Sequence, residues 1–258
     1  MDALYLFRHS ANGDFEIRHS LRSIERYAPY IRKIWIYGDK PAFISDDNAL
    51  IEHVPHEATS RVLGVRTPVT NFFLLIFLSS LIPDLAFEYL FFCDDFYLLK
   101  DYPIEAARQD RYLQDLSQAA NRGRGLWKDS LWRTYDLLTR LGYTGFNFET
   151  HCPSYLTRKR VMDAYCDFKD FVTEERFYGM LGLTAILNHA YKAERMSLVN
   201  VAEENSKCGY WGKPPLYEDV VAQSESKMFL NFDDSAFGES IERFLVERFA
   251  LPSRYERA

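Results

Sequence analysis

The hydrophobic pattern opens with a short apolar run, Leu4 to Phe7, ending at Arg8-His9-Ser10. Asn12-Gly13-Asp14 then supplies turn chemistry, so a first strand and a loop are predicted. From Phe15 to Tyr27 the apolar positions Ile17, Leu21, Ile24 and Tyr27 recur at helical spacing, while Arg18, Arg22, Glu25 and Arg26 lie elsewhere and Pro29 closes the pattern. Ile31 to Tyr37 is strand-like and is followed by Gly38-Asp39-Lys40-Pro41. Strand, crossover helix and strand make a βαβ unit, whose strands pair in parallel in one sheet. Ile51 to Val54 reads as a third strand, and Thr67-Pro68 opens an apolar helix running to about Ile82. Phe87 to Phe92 is a continuous aromatic-rich run, as expected of a strand buried on both faces, and it ends in Cys93-Asp94-Asp95.

The second half reads as more helical. Ile104 to Ala120, Leu126 to Leu141, Arg158 to Phe168 and Glu174 to Tyr191 have helical character, with Phe146 to Phe148 as an extended piece. Met228 to Phe232 is predicted to be a strand, Asp233-Asp234-Ser235 its exit, and Ser240 to Phe249 a helix. No repeat, low-complexity tract or linker interrupts the chain, so residues 1–258 are expected to form one unit.

Net charge is −6, which argues against a broad basic surface for gripping nucleic acid. The basic segment Arg108 to Arg124 and the cluster Arg158-Lys159-Arg160 are read as solvated helix faces. Cys93, Cys152, Cys166 and Cys208 form no CxxC pair, which excludes the usual structural zinc spacing and fits a reduced, cytoplasmic setting. No basic-then-apolar leader opens the sequence, and the most apolar stretch, Phe72 to Ile82, is shorter than the roughly 20 residues a membrane span needs.

Two adjacent carboxylates after a buried strand oppose folding unless a partner compensates them, because like charges repel and desolvation is costly. A divalent cation is the natural partner for Asp94 and Asp95. Mg²⁺ takes oxygen ligands and is held by one or two carboxylates together with substrate phosphates, so the pair suits a nucleotide diphosphate. The alternative is a helix cap or surface turn, where Asp is also favoured. His151 precedes Pro153, which restrains the local backbone, and is a candidate general base or metal ligand against a structural role. Asp233 and Asp234 form a second acidic pair that either shares the metal or caps the last helix. Arg8, Arg61 and Arg66 are candidates for the donor's phosphates, because a guanidinium fork matches phosphate oxygens. Asp39 and Asn71 complete the candidate substrate-binding set.

Taken together, these segments resemble the Stealth family of sugar-phosphate transferases. Ile17 to Ile24 with Ala28 to Ile34 is similar to that family's "YSLRSI … APWIRKI" signature, and Phe91 to Phe96 to its "YFNDD" segment. Thr150-His151-Cys152-Pro153 looks like its "HMP" segment, Asn231 to Asp234 like its late "ND" segment, and Leu251 to Glu256 like its terminal "FP-x-x-S-x-F-E". Cys93 stands where the family has Asn, Leu6 to Ser10 differs from its opening "TWVDGSD", and its arginine-then-acidic pattern is poorly kept around Arg176 to Tyr178.

The resemblance implies a GT-A-like α/β fold: a mainly parallel sheet flanked by helices, with a helical elaboration in the second half. Residues 1–103 would bind a nucleotide sugar and residues 104–258 would face the acceptor. It implies metal binding by Asp94 and Asp95, catalysis by His151 and Asp95, and a metal or substrate role for Asp233 or Asp234. The expected reaction moves a sugar or sugar 1-phosphate from a UDP-, GDP- or CMP-sugar to an acceptor hydroxyl, with Mg²⁺ or Mn²⁺. Short chains of this kind also resemble phage proteins, so modified DNA bases stand beside glycans as acceptors. A non-catalytic nucleotide- or glycan-binding module is the alternative from another class.

Overall fold

The computed structural model describes residues 1–257; Ala258, the last residue of the expected unit, lies outside them. In the first half β1 (Asp2–Phe7), α1 (Phe15–Tyr27), β2 (Ile34–Gly38), β3 (Ile51–Val54), the single turn α2 (Glu57–Ser60), α3 (Phe72–Ser79) and β4 (Glu88–Cys93) follow in order. A five-stranded sheet has the order β3-β2-β1-β4 and then β9 (Ser154–Thr157). The first four strands are parallel and β9 runs against β4.

Alternate residues of the central strands feed two cores. Leu4, Leu6, Trp35, Tyr37, Tyr89 and Phe91 pack with α3 on one face, whereas Ala3, Tyr5, Phe7, Ile36, Leu90 and Phe92 pack with Ile17, Leu21 and Ile24 of α1 on the other. Burial on both faces explains why these strands read as unbroken apolar runs.

The apolar helix α3 is shorter than the predicted Thr67 to Ile82. Asn71 sets its start by accepting from the Leu74 amide at 3.1 Å, and the hydroxyls of Ser79 and Ser80 turn back onto the carbonyls of Ile76 and Phe77 at its end.

After β4 come β5 (Tyr97–Leu98), α4 (Ile104–Ala107), β6 (Asp110–Tyr112), β7 (Gln114–Asp115), α5 (Leu126–Arg140) and β8 (Phe146–Asn147). Beyond β9 lie α6 (Arg158–Phe168), α7 (Gly182–Ala193), β10 (Leu198–Asn200), α8 (Val201–Glu204), β11 (Lys207–Tyr210), α9 (Tyr217–Ser224), β12 (Phe229–Phe232) and α10 (Glu239–Arg248). α6 and α7 join α3 in the first core, and α10 closes a third core over β5, β11 and β12.

The predicted helix from Ile104 to Ala120 is overturned. Only one turn forms, because β6 pairs with β10 and the charged residues that follow α4 turn inward. Buried Asp110 meets Arg160 at 2.8 Å, and Arg111 meets Glu204 at 3.0 Å while its guanidinium lies 5.1 Å from the Phe229 ring. Arg111 and Arg160 are thus internal ties, not parts of solvated faces. The expected start of α7 at Glu174 is also corrected. The carbonyls of Glu175 and Tyr178 accept from Asn71, and that of Phe177 from Ser130 and Arg133, which fixes residues 174–181 as a loop.

Among the described residues no helix is long and apolar enough to cross a membrane.

Candidate active site at the carboxyl edge of the sheet

β4 delivers Asp94 and Asp95 into a tight turn closed by the Phe96 amide on the Cys93 carbonyl at 3.2 Å. α1 holds that turn in place. The Ser20 hydroxyl donates to the Phe96 carbonyl at 2.5 Å and accepts from Tyr5, while Ser23 accepts from the Leu98 amide at 3.1 Å. Neighbouring Arg22 grips Glu256 through two bonds of 2.7 Å, so the C-terminal segment braces the same helix.

Both aspartates are half-buried. Burial first, then the charges of Asp95 and Glu16, push Asp94 well above the usual carboxylate range. Burial likewise lifts Asp95 to about 6, although the Asn231 amide, 3.2 Å away on β12, works the other way. The charge of Asp234 also reaches Asp94. Two buried polar atoms in this neighbourhood, Asn231 Oδ1 and Tyr97 Oη, have no hydrogen-bond partner among the described residues. The turn therefore gathers acidic oxygens that only the charge of Lys207 offsets, and does so too weakly to reverse the upward shift, with an orphaned carbonyl oxygen beside them. That donor set suits a hard cation. Among the described residues no three His, Cys, Asp or Glu side chains are grouped to hold a metal.

Arg8 and Asp39 leave the sheet at the same edge. Phe7 pairs with Gly38, and the Asp39 amide donates to the Phe7 carbonyl. Gly38 is required there, since its φ is +125° and a Cβ would come within 2.1 Å of that carbonyl. Arg8 is exposed and makes no ion pair among the described residues, while Asp39 accepts from the His9 amide at 2.9 Å. His9 in turn bonds Asp14 at 2.7 Å, tying down the loop after β1.

His151 arrives from the other side of the acid pair. It precedes β9, whose Ser154 pairs with Phe91, and adopts a left-handed φ of +52°. Its ring lies edge-on to Phe96 at 6.3 Å and to Trp211 at 6.4 Å, with no hydrogen bond among the described residues. Burial, helped by the charge of Lys207, brings it down to about 4 and keeps it neutral. Lys207 donates to the Thr150 carbonyl at 2.8 Å, and burial lowers its own pKa.

Other predicted residues are placed differently. Asn71 is buried, and its side-chain amide engages the α3 cap and the carbonyls of Glu175 and Tyr178. Arg61 and Arg66 are exposed, and Arg66 faces Glu174 at 3.7 Å. Asp233 caps a turn, accepting from Ser235 at 2.6 Å and from the Ala236 amide at 2.9 Å. Asp234 is exposed.

No protein-family model matches the chain, and no curated protein matches it either. Among solved structures, galactosyltransferase LgtC with donor and acceptor sugar analogs aligns over 97% of this chain and 95% of its own, at 13% identity and TM-score 0.48. Mouse xyloside xylosyltransferase 1 aligns over 92% and 99%, at 12% identity and TM-score 0.48. The bifunctional glycosyltransferase WbbM, in its apo form, is similar over 98% of this chain and 50% of its own, at 10% identity and TM-score 0.51.

The fold is that of the GT-A glycosyltransferases. Within this GT-A fold the acid pair occupies the carboxyl edge of the parallel strands, where open α/β sheets bind ligands. Sequence reasoning did not single out Glu16, Lys207, Trp211 or Asn231 as site residues. Asn231 lay inside the recognised Asn231 to Asp234 segment, and Lys207-Cys208-Gly209-Tyr210-Trp211 carries the alternation of a strand. Glu16 left no local signal.

Proposed function

We propose that this protein is a divalent-metal-dependent glycosyltransferase that moves a sugar from a nucleotide-sugar donor, of the UDP, GDP or CMP type, to an acceptor hydroxyl. The observation that carries this reading is the half-buried Asp94–Asp95 pair at the end of the central strand, both carboxyls raised by burial, beside the orphaned Asn231 carbonyl oxygen.

Asp94 and Asp95 would hold Mg²⁺ or Mn²⁺, which when bound would neutralise charge on the leaving diphosphate. Arg8, unpaired at the neighbouring strand end, offers its guanidinium to the phosphates. Asp39 has a carboxylate oxygen left over from its bond to the His9 amide and can accept from a sugar or ribose hydroxyl. The acceptor oxygen bonds the anomeric carbon as the bond from that carbon to the diphosphate oxygen breaks. Neutral His151 can take the acceptor's proton. All four cysteines are unpaired thiols, in keeping with a reducing compartment.

A second reading, transfer of sugar 1-phosphate, rests on the resemblance to the Stealth family, whose two similar segments farthest apart in this chain meet in the Arg22–Glu256 pair. In that reaction the acceptor attacks phosphorus and the nucleoside monophosphate leaves.

Thermal-shift titration with UDP-, GDP- and CMP-sugars, with and without Mn²⁺, tests the proposal. One donor should raise Tm only when Mn²⁺ is present, and Asp95→Ala should abolish the rise. Released nucleoside diphosphate marks glycosyl transfer, and released monophosphate marks sugar-phosphate transfer. Binding without turnover on any glycan or hydroxymethylated-DNA acceptor would favour a binding module. A metal-independent shift that survives Asp95→Ala would refute the site.

A further inference from the structure

We propose that Trp211 is the floor of a saccharide-stacking subsite that holds a neutral pyranose of the acceptor beside His151, an inference that rests on the glycosyltransferase reading and extends it to acceptor recognition.

β11 alternates sharply. Cys208 and Tyr210 point into the third core, while Lys207 and Gly209 share the opposite face, which the chain continues at Trp211. Gly209 pairs with Asn231, the residue that bonds Asp95, so this face adjoins the acid pair. The tip of the indole fills the room left at Gly209: a Cβ there would lie 2.1 Å from Cη2 and 2.7 Å from Cζ3.

The platform is anchored. The amide of Gly212, next along the chain, donates to Ser235 at 2.9 Å, and the Asp233 amide donates to the Tyr210 carbonyl at 3.1 Å. The Asp233 turn, read from sequence as metal-binding or capping, thereby fastens the Trp211 loop. Yet Trp211 remains 51% exposed, a large fixed apolar surface facing solvent in a polar setting.

A pyranose offers one face of C–H bonds and a rim of hydroxyls. Its apolar face gains hydrophobic and dispersion energy on an indole, and its rim still needs polar partners. Those partners are present. His151 stands edge-on to the indole at 6.4 Å, and Lys207 Nζ lies 5.0 Å from the ring with only one of its three donors engaged by Thr150. The side of the site also fits an acceptor. Arg8 and Asp39 leave β1 and β2 on one side of β4, whereas His151 precedes β9 on the other. A nucleotide on the arginine side leaves the Trp211 side for the second substrate.

The test measures lactose, maltose and cellobiose by saturation-transfer NMR titration against wild type, Trp211→Phe, Trp211→Ala and Gly209→Ala, without nucleotide. UDP with Mn²⁺ is titrated separately, and circular dichroism confirms folding. At least one disaccharide should bind wild type, with Kd raised tenfold or more in Trp211→Ala and Gly209→Ala and less than threefold in Trp211→Phe. The UDP–Mn²⁺ affinity should be unchanged in all three variants. Equal disaccharide affinity in Trp211→Ala, no binding of any of the three, or loss of UDP instead of saccharide in Trp211→Ala would each overturn the subsite. Saccharide binding with no UDP–Mn²⁺ binding to wild type would refute the transferase reading and leave the subsite standing.

Discussion

Asn231 donates its side-chain amide to Asp95 at 3.2 Å across 136 residues of sequence, while its own carbonyl oxygen stays buried without a partner. One side chain thus orients a carboxylate and adds an unsatisfied oxygen to the same small space. Residues that orient metal-binding carboxylates typically contribute 10- to 100-fold to metal affinity. Asn231→Ala should therefore weaken Mn²⁺–UDP binding by roughly tenfold and leave the circular dichroism spectrum intact. Calorimetry decides it, and unchanged affinity would detach Asn231 from the site.

Glu149 lies buried at the start of α7, accepting from the Thr184 amide at 3.0 Å, and burial pushes it up to about 7. A carboxylate raised in the folded state costs stability as pH climbs from its ordinary value, and the cost is complete above the folded value. Wild type should lose stability between pH 5 and 8 relative to Glu149→Gln, by ~3 kcal/mol at most. Urea melts of both proteins at the two ends of that range check it. Parallel pH dependence in the two proteins would contradict the burial assigned to this carboxyl.

Asp2 has the opposite sign. Burial opposes its charge, but two bonds of 2.8 Å from Arg32, one of 2.9 Å from the Trp35 indole and one of 3.0 Å from the Ala86 amide hold it below its ordinary value of 3.8. Its contribution is present above that value and is lost as pH falls through the folded one. Asp2→Ala leaves an indole N–H and an amide without acceptors and should cost ~3 kcal/mol at pH 7. The gap to wild type should narrow as pH falls below 3.8 in chemical denaturation curves.

Gly182 opens α7 against α3. A Cβ there would stand 2.8 Å from Ile76 Cδ1 and 3.1 Å from the Phe73 Cα. Alanine gains up to about 1 kcal/mol of helix propensity, whereas forcing two packed helices apart costs about 1–3 kcal/mol. Gly182→Ala should consequently lower Tm, and a rise in differential scanning calorimetry would show that the helices have room to spare.

Much of the frame was legible because it is local. Phe15–Tyr27 and Arg158–Phe168 have the predicted bounds, since an apolar stripe at helical spacing needs no distant partner to be read. The acid pair was legible for a related reason: carboxylates directly after a long apolar run are conspicuous in one dimension. Residues 104–120 misled because their helical pattern was overridden by β10, Arg160 and Glu204, all supplied from far along the chain. Lys207 and Trp211 were missed because β11 is only four residues long, too short for its alternation to stand out from the surrounding chain. The serines of α1 explain their own place in a family-like signature, since Ser20 and Ser23 hold the backbone just after the aspartates.

β9 runs against its neighbour, so the polypeptide that departs after Cys93 must come back to the rim it left. Phe91 and Ser154 stand side by side, about 5 Å apart, with the whole excursion of residues 94–153 slung between them. That excursion is no free loop: Leu98 pairs with Phe229 and Arg111 grips Glu204, so the acids after Phe91 and the histidine before Ser154 are held from the middle of the stretch as well as from its two ends.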